Sequence, residues 1–143
     1  MKEEMRFFRK NVWINVGMAL SINTAATILA GGDTLSGWTK GCCAAFTINT
    51  IAAVILPMGI IGPWFSQKIC KRKPGTGLEV LARNFIVNAI YVTIVSFCMA
   101  MINVGVGNNL ISVWFSTYPI LHIVGLITSI VLEVISTKIE HNI

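Results

Sequence analysis

The sequence predicts an all-α membrane protein with four transmembrane helices, and three observations support this prediction. Of the 143 residues, 55% are hydrophobic and only 12% are charged, which is too little charge to cover a water-facing surface. Four uncharged runs of 19 to 25 residues are each long enough to cross the hydrocarbon core of a bilayer, which is about 30 Å thick. The basic residues cluster beside these runs, which is typical of the cytosolic edge of a membrane protein.

The first two runs predict one helical hairpin over residues 1–66. Residues 1–10 carry four basic and two acidic side chains and are expected at the inner surface. Residues 12–30 are the first predicted span, and residues 41–65 are the second, which returns the chain to the inside. A secretory signal peptide is the alternative for the first run, because Ala30, Gly31 and Gly32 offer small residues to a peptidase. We interpret the run as a span because the internal repeat described below requires it.

Residues 67–83 form a predicted basic cytosolic linker, and residues 84–143 form the second hairpin, with spans at 85–104 and 110–132. The linker contains five of the eleven basic residues. In this topology ten Lys and Arg residues lie on one side and only Lys40 lies on the other, so both termini are predicted to be cytosolic. The pattern predicts a multi-pass protein of the bacterial inner (plasma) membrane. It indicates anionic lipid headgroups, and not nucleic acid, as the partners of the basic loops.

The two hairpins show a weak internal repeat. Aligning residues 10–57 with residues 83–133 matches Asn15 with Asn88 and, after a three-residue insertion, Trp38 with Trp114. Each half starts and ends inside, so the repeats are predicted to be parallel and related by a pseudo-twofold axis along the membrane normal. Gene duplication and two similar hairpins of independent origin both remain open.

Four residues of the first half carry a family resemblance, namely Gly37, Trp38, Ala45 and Pro57, together with the basic residue that opens each half. The second half keeps Trp114 and has Glu133 at the position of Pro57. The chain resembles the bacterial membrane family known as domain of unknown function 2798. The resemblance implies a membrane protein of tandem paired helices and implies no particular activity.

One polar residue of each predicted span lies at a similar depth. Asn23, Asn49, Ser96 and His122 each lie eight or nine residues from the outer end of their span, which is roughly 12 to 14 Å below the outer surface. If all four point inward, they line a small ligand site with an imidazole at its centre. The alternative is a set of hydrogen-bonded clamps between helices in which His122 is neutral.

Two prolines lie within predicted spans. Pro57 and Pro119 each remove a backbone donor and are predicted to kink the second and fourth spans, where a kink can serve as a gate.

Several function classes find little support in the sequence. No Asp or Glu lies inside any predicted span, which argues against a drug–proton antiporter. No H-E-x-x-H, G-x-S-x-G or glycine-rich phosphate loop is present, so a non-enzymatic role is favoured. The four cysteines show no C-x-x-C spacing, and neither a metal site nor a cofactor is predicted.

Two functions remain as hypotheses. In the first, the protein is a transporter- or channel-like module for a small neutral or weakly cationic solute, working as a homo-oligomer because four helices enclose little space. In the second, it is a non-catalytic accessory subunit that packs against a larger membrane complex.

Overall fold

The computed structural model describes residues 2–32 and 34–141, and the side chains of residues 12–32, 34–136 and 138. All regular elements in this part of the chain are helical. They are α1 (Lys2–Leu29), α2 (Leu35–Ile55), the short α3 (Met58–Trp64), which continues as a π-helical turn (Phe65–Ile69), α4 (Gly77–Val104) and α5 (Leu110–His141).

The four long helices form an up-down-up-down bundle. α1 packs against α2 and α5, and α4 packs against the same two helices from the other side, so the order around the bundle is α1, α2, α4, α5. Four helical stretches are long and apolar enough to cross a membrane: Val12–Leu29, Leu35–Ile55, Gly77–Val104 and Leu110–Ser136. The predicted fold class, an all-α protein with four transmembrane helices, is therefore confirmed.

The bundle has two distinct ends. The turns at residues 30–34 and 105–109 lie at one end, here called the turn end. The start of α1, the end of α5 and the segment with α3 lie at the opposite end, here called the termini end.

Local sequence sets the helix boundaries. Thr34 and Thr76 cap α2 and α4, since each side chain accepts a hydrogen bond from the backbone N–H three residues later, at Gly37 and Glu79. The Thr76 cap with Glu79 three residues later is the capping-box pattern. At its other end α4 stops at Gly105, whose φ of 79° is readily adopted only without a Cβ.

The second span differs from its predicted form. α2 ends at Ile55 and a new helix begins at Met58, so Pro57 lies between two helices and not inside one. The ring of Pro57 disfavours helical geometry at the preceding residue, and Leu56 is extended, with φ −95° and ψ 126°. The span begins at Leu35, six residues before the uncharged run. Pro119, in contrast, lies inside α5.

The third span also extends beyond its uncharged run. α4 begins at Gly77, so its first two turns take up the end of the segment predicted as a linker.

The core is small, and most apolar side chains face outward. A cluster of buried residues joins the four long helices: Met18, Ala19, Ile22, Ala45, Val92, Val95, Met99 and Leu121. Only 11% to 28% of the residues in each candidate span are buried inside the protein. Large apolar side chains such as Val54, 82% exposed, cover the outer surface. A surface of this kind is stable in hydrocarbon and not in water.

Candidate functional site

The four polar residues predicted to meet at one depth lie in separate contacts. Asn23 donates from Nδ2 to the backbone oxygen of Trp38 at 2.9 Å, and to Cys42 Sγ at 3.3 Å. Ser96 Oγ accepts a hydrogen bond from Trp114 Nε1 at 2.9 Å. The structure does not bring these side chains together with the remaining two, Asn49 and His122, in one site.

His122 lies in an apolar setting. Its ring stacks on Tyr118 with centroids 5.8 Å apart and meets the edge of Phe85 at 5.1 Å. Its one described side-chain hydrogen bond joins Nδ1 to Asn88 Nδ2 at 3.2 Å, and Asn88 also donates to the backbone oxygen of His122 at 3.0 Å. These contacts tie α4 to α5, in the manner of a clamp.

A cavity of about 970 Å³ lies in the half of the bundle nearest the termini end. α1, α2 and α4 supply most of its wall, α3 closes part of it, and α5 contributes two side chains. Of the residues singled out in the sequence, Asn49 and Pro57 line this cavity, whereas Asn23, Ser96, His122 and Pro119 do not belong to its described lining. Its polar and charged lining residues are Asn15, Asn49, Thr50, Arg83, Asn84, Asn88, Tyr91, Ser129 and Glu133.

An amide pair forms one part of the cavity wall. Asn49 on α2 donates from Nδ2 to Asn15 Oδ1 on α1 at 3.0 Å. The side chain of Asn49 is only 3% exposed, and its Oδ1 has no hydrogen-bond partner within the protein. A buried carbonyl oxygen without a partner costs about 1–3 kcal/mol, so a donor that reached this atom would stabilise the protein. The oxygen has less than 1 Å² of accessible surface, so a bound molecule reaches it only if the wall moves.

A charged cluster forms a second part of the wall. Arg83 Nη2 on α4 lies 2.7 Å from Glu133 Oε1 on α5, and Asn84 Nδ2 donates to Glu133 Oε2 at 2.6 Å. The two charged residues lie inside the candidate spans Gly77–Val104 and Leu110–Ser136. Both helices extend beyond the uncharged runs, so the prediction that no Asp or Glu lies inside a span is wrong for Glu79 and Glu133.

The sequence carries a signal for this cluster, because Glu133 adjoins the fourth run and is expected to pair with Lys138 or with the basic segment that ends at Arg83. Arg83 and Asn84 directly precede the third uncharged run, and Glu133 directly follows the fourth. Because the two runs form antiparallel neighbours, the start of one lies beside the end of the other. A basic residue and an acidic residue at these two positions therefore predict an ion pair at the same level.

A close contact between α4 and α5 explains the position of Asn88. Its Oδ1 lies against Gly125, where an added Cβ would be 2.6 Å from that oxygen and 2.8 Å from Val92 Cγ2. This oxygen also lacks a conventional hydrogen-bond partner. Because it faces the glycine backbone, we assign Asn88 to helix packing and Asn49 to the cavity.

Among the side chains that the structure describes, no three His, Cys, Asp or Glu residues lie close enough to hold a metal ion.

Comparison of the chain with protein-family models, with curated protein sequences and with solved structures returns no match. The resemblance to the domain of unknown function 2798 family stays a prediction.

Proposed function

We propose that this integral membrane protein is a transporter- or channel-like module that binds a small neutral or weakly cationic solute in the cavity near its termini end. The observation that carries the proposal is the cavity itself, whose wall has polar side chains from all four long helices, among them Asn49, whose buried Oδ1 has no partner within the protein. A cavity of about 970 Å³ is at the upper end of the size range of small-molecule sites, roughly 300–1,000 Å³.

The chemistry of the wall supports this class of solute. An unpartnered carbonyl oxygen requires a hydrogen-bond donor, which an amide, an amine or a hydroxyl supplies. The charges of Arg83 and Glu133 compensate each other, so the described lining has no net charge to attract a simple anion. The amide of Asn49 is held by its hydrogen bond to Asn15, and the carboxylate of Glu133 is held by its hydrogen bond from Asn84. Both side chains are therefore positioned before a solute arrives.

The helix break at Pro57 supports a gating role for this proline. Pro57, Leu56 and three residues of α3 belong to the cavity wall, and the extended backbone at Leu56 separates α3 from α2. A rotation at this break would move α3 and change access to the cavity, and it requires the contacts of this segment with α4, such as the Ser66–Glu79 hydrogen bond, to open.

The accessory-subunit hypothesis has one observation in its favour. Only 11% of the span of α5 is buried inside the protein, the smallest share among the four candidate spans. A second protein, or a second copy of this chain, packed against α5 would cover that face.

We also infer the orientation of the bundle in the membrane and the origin of its two hairpins by duplication. The basic residues support a cytosolic termini end that contacts anionic lipids of a bacterial plasma membrane. Similar contacts in the two halves support duplication, since Trp38 Nε1 donates to Thr24 at 3.0 Å and Trp114 Nε1 donates to Ser96 at 2.9 Å, with the two acceptors one position apart in the alignment.

Two asparagines provide a matched test of the cavity. Asn49 and Asn23 are both nearly fully buried and both donate across a helix interface, but only Asn49 lines the cavity. The protein in proteoliposomes is assayed for uptake of urea and of guanidinium, two isosteric probes that carry N–H donors. We expect uptake above that of empty liposomes, and a reduction of about 2- to 10-fold in Asn49→Ala, because one hydrogen bond to the solute is lost.

The control variants are Asn23→Ala and His122→Leu, in which uptake is expected to stay within about twofold of the wild type. Equal loss in Asn49→Ala and Asn23→Ala would show that the amides act only through stability. If neither probe enters faster than into empty liposomes, and native mass spectrometry of the extracted protein shows a fixed complex with another membrane protein, the accessory role replaces the proposed one.

A further inference from the structure

We propose that the cavity opens sideways into the half of the bilayer nearest the termini end, between α1 and α3, and takes from the lipid a small uncharged amphiphile with a hydroxyl or amine group at one end. This inference rests on the proposed function, since it specifies the solute of the same cavity and the route of entry. It depends on three observations: the gap beside α3, the exposed apolar residues at its edge and an unpartnered hydroxyl at mid-depth.

The short helix α3 leaves one side of the cavity open. After the break at Pro57, α3 packs against α4 and the π-helical turn, whereas α1 packs against α2 and α5. None of the extensively packed helix pairs in the described part of the chain joins α1 to α3. A Cβ added at Gly62 would lie 2.7 Å from Arg83 Cγ on α4, but a Cβ added at Gly59 meets nothing within 4 Å. The opening therefore lies between α1 and α3.

Apolar residues that face the membrane form the edge of this opening. Each residue from Ala53 to Gly59 lines the cavity, with the exception of Ile55. Within this run Val54 is 82% exposed, and Pro57 and Gly59 are exposed as well. A residue that lines a cavity and also faces outward marks its mouth. Since hydrocarbon surrounds a transmembrane helix, the mouth admits molecules that partition into lipid.

The wall of the cavity has a hydroxyl without a partner at the middle of the bundle. Tyr91 lines the cavity halfway along α4 (Gly77–Val104), about 12 Å farther from the termini end than Arg83. Among the described residues its hydroxyl has no hydrogen-bond partner, and it is not one of the inaccessible polar atoms, so it keeps accessible surface. The hydroxyl of the other tyrosine, Tyr118, is bonded to Thr93 Oγ1 at 3.1 Å.

These features match a molecule with one polar end and an apolar body. A hydroxyl in an apolar setting is stabilised by a hydrogen bond, and a solute alcohol or neutral amine both donates and accepts, as the phenol of Tyr91 does. The apolar body of such a solute lies against Leu56, Pro57 and Met58, and the flexible thioether of Met58 adapts to different shapes. A charged solute is disfavoured because it would have to enter hydrocarbon from water.

The test uses a photoactivatable diazirine analogue of octanol in proteoliposomes. We expect saturable labelling of the cavity wall, located by peptide mass spectrometry and suppressed by excess octanol. In Tyr91→Phe the octanol concentration that suppresses half of the labelling is expected to rise by about 2- to 10-fold, because one hydrogen bond is lost. Tyr118→Phe is the matched control, since it also removes one phenol hydroxyl but lies outside the described lining, and its value is expected within about twofold of the wild type.

A spin label tests the route of entry without changing the polar groups of the wall. The label is attached to Ala53→Cys in a variant without native cysteines, and its collisions with oxygen, which is lipid-soluble, and with a water-soluble nickel chelate are compared. Reference labels are placed at Ile123→Cys, where the native side chain is 58% exposed on α5, and at Pro74→Cys in the exposed basic segment. We expect the label at Ala53→Cys to resemble that at Ile123→Cys, with high oxygen and low nickel access.

Three outcomes would overturn the proposal. Nickel access at Ala53→Cys equal to that at Pro74→Cys would show that water fills the mouth, and equal shifts in the two tyrosine variants would show that Tyr91 does not hold the solute. Either result, with uptake of urea or guanidinium intact, would remove this inference and leave the proposed function standing. Absence of saturable labelling together with absence of urea and guanidinium uptake would remove both.

Discussion

At the scale of single residues, asparagine and glycine determine how closely the helices approach. Asn23 lies against Gly41 and Asn88 lies against Gly125, and in each case the amide oxygen occupies the space that a Cβ would need. Gly17 in turn makes room for Leu132. In lipid, where apolar surface gives no preference for helix contact, close backbone packing and interhelical hydrogen bonds supply the association energy.

The substitution Gly125→Ala tests this packing. The new methyl group would meet Asn88 Oδ1 at 2.6 Å, and Asn88 cannot turn away without losing its bond to the His122 backbone oxygen. We expect a loss of about 1–3 kcal/mol in the free energy of unfolding, measured by denaturant unfolding in detergent with tryptophan fluorescence as the signal. Gly59→Ala is the control, because nothing lies within 4 Å of its added Cβ. A stability equal to the wild type in Gly125→Ala would contradict the close approach of α4 and α5.

At the scale of elements, the short helix α3 is the least regular part of the bundle. An extended residue precedes it and a π-helical turn follows it. In that turn Ser66 Oγ donates a buried hydrogen bond to Glu79 Oε1 on α4 at 2.9 Å. Both residues are nearly inaccessible, since Ser66 is 0% and Glu79 is 4% exposed. This bond fastens the wall element of the cavity to the start of α4.

The substitution Ser66→Ala tests whether this bond holds α3. Removing the hydroxyl leaves the buried carboxylate of Glu79 without its described side-chain donor, at a cost of about 1–3 kcal/mol. We expect backbone amides of residues 58–69 to exchange hydrogen faster, with little change in α5, as measured by hydrogen–deuterium exchange mass spectrometry. Ser116→Ala serves as the control, because the hydroxyl of Ser116 is exposed and bonds only within its own helix. Equal exchange in wild type and Ser66→Ala would show that α3 is held by other contacts.

At the scale of the whole molecule, the bundle places charge and polarity unequally along its length. The cavity, the Arg83–Glu133 pair, α3 and the basic segment after it lie toward the termini end. The turn end has two short connections and the tryptophans Trp38 and Trp114, which bond to the first helix of their own hairpin. A solute that enters the cavity from the termini end would cross less of the membrane than one from the turn end.

The orientation of the bundle is tested by labelling single cysteines. In a variant whose four native cysteines are replaced by serine or alanine, Gly107→Cys lies in the turn at the turn end, and Pro74→Cys lies in the exposed basic segment at the termini end. We expect a membrane-impermeant maleimide to label Gly107→Cys on intact bacterial cells and Pro74→Cys only after permeabilisation. The reverse pattern would invert the predicted topology, and the positive-inside argument would then be wrong for this protein.

The sequence by itself predicted the fold class, because the requirement that every backbone polar group in lipid be satisfied leaves few structures open to long uncharged runs. The four spans follow from run length alone. The exact helix ends do not, because caps such as Thr34 and Thr76 lie outside the uncharged runs and lengthen the helices into charged sequence. The sequence predicted a kink at Pro57, and the structure has a complete break between two helices at this position. Whether a proline bends or ends a helix depends on the neighbours that pack around it.

The candidate site, in contrast, was decided by the tertiary structure. Depth along a span follows from residue number, and it put Asn23, Asn49, Ser96 and His122 at one level. Rotation about the helix axis and the choice of neighbouring helix follow only from packing, and these directed the four side chains to different partners. Packing also brought Arg83 and Glu133, fifty residues apart in the chain, to 2.7 Å in the wall of the cavity that Asn49 also lines. The depth of a site residue can be counted along the sequence. The direction of its side chain around the helix axis and the helix that it contacts depend on how the helices pack.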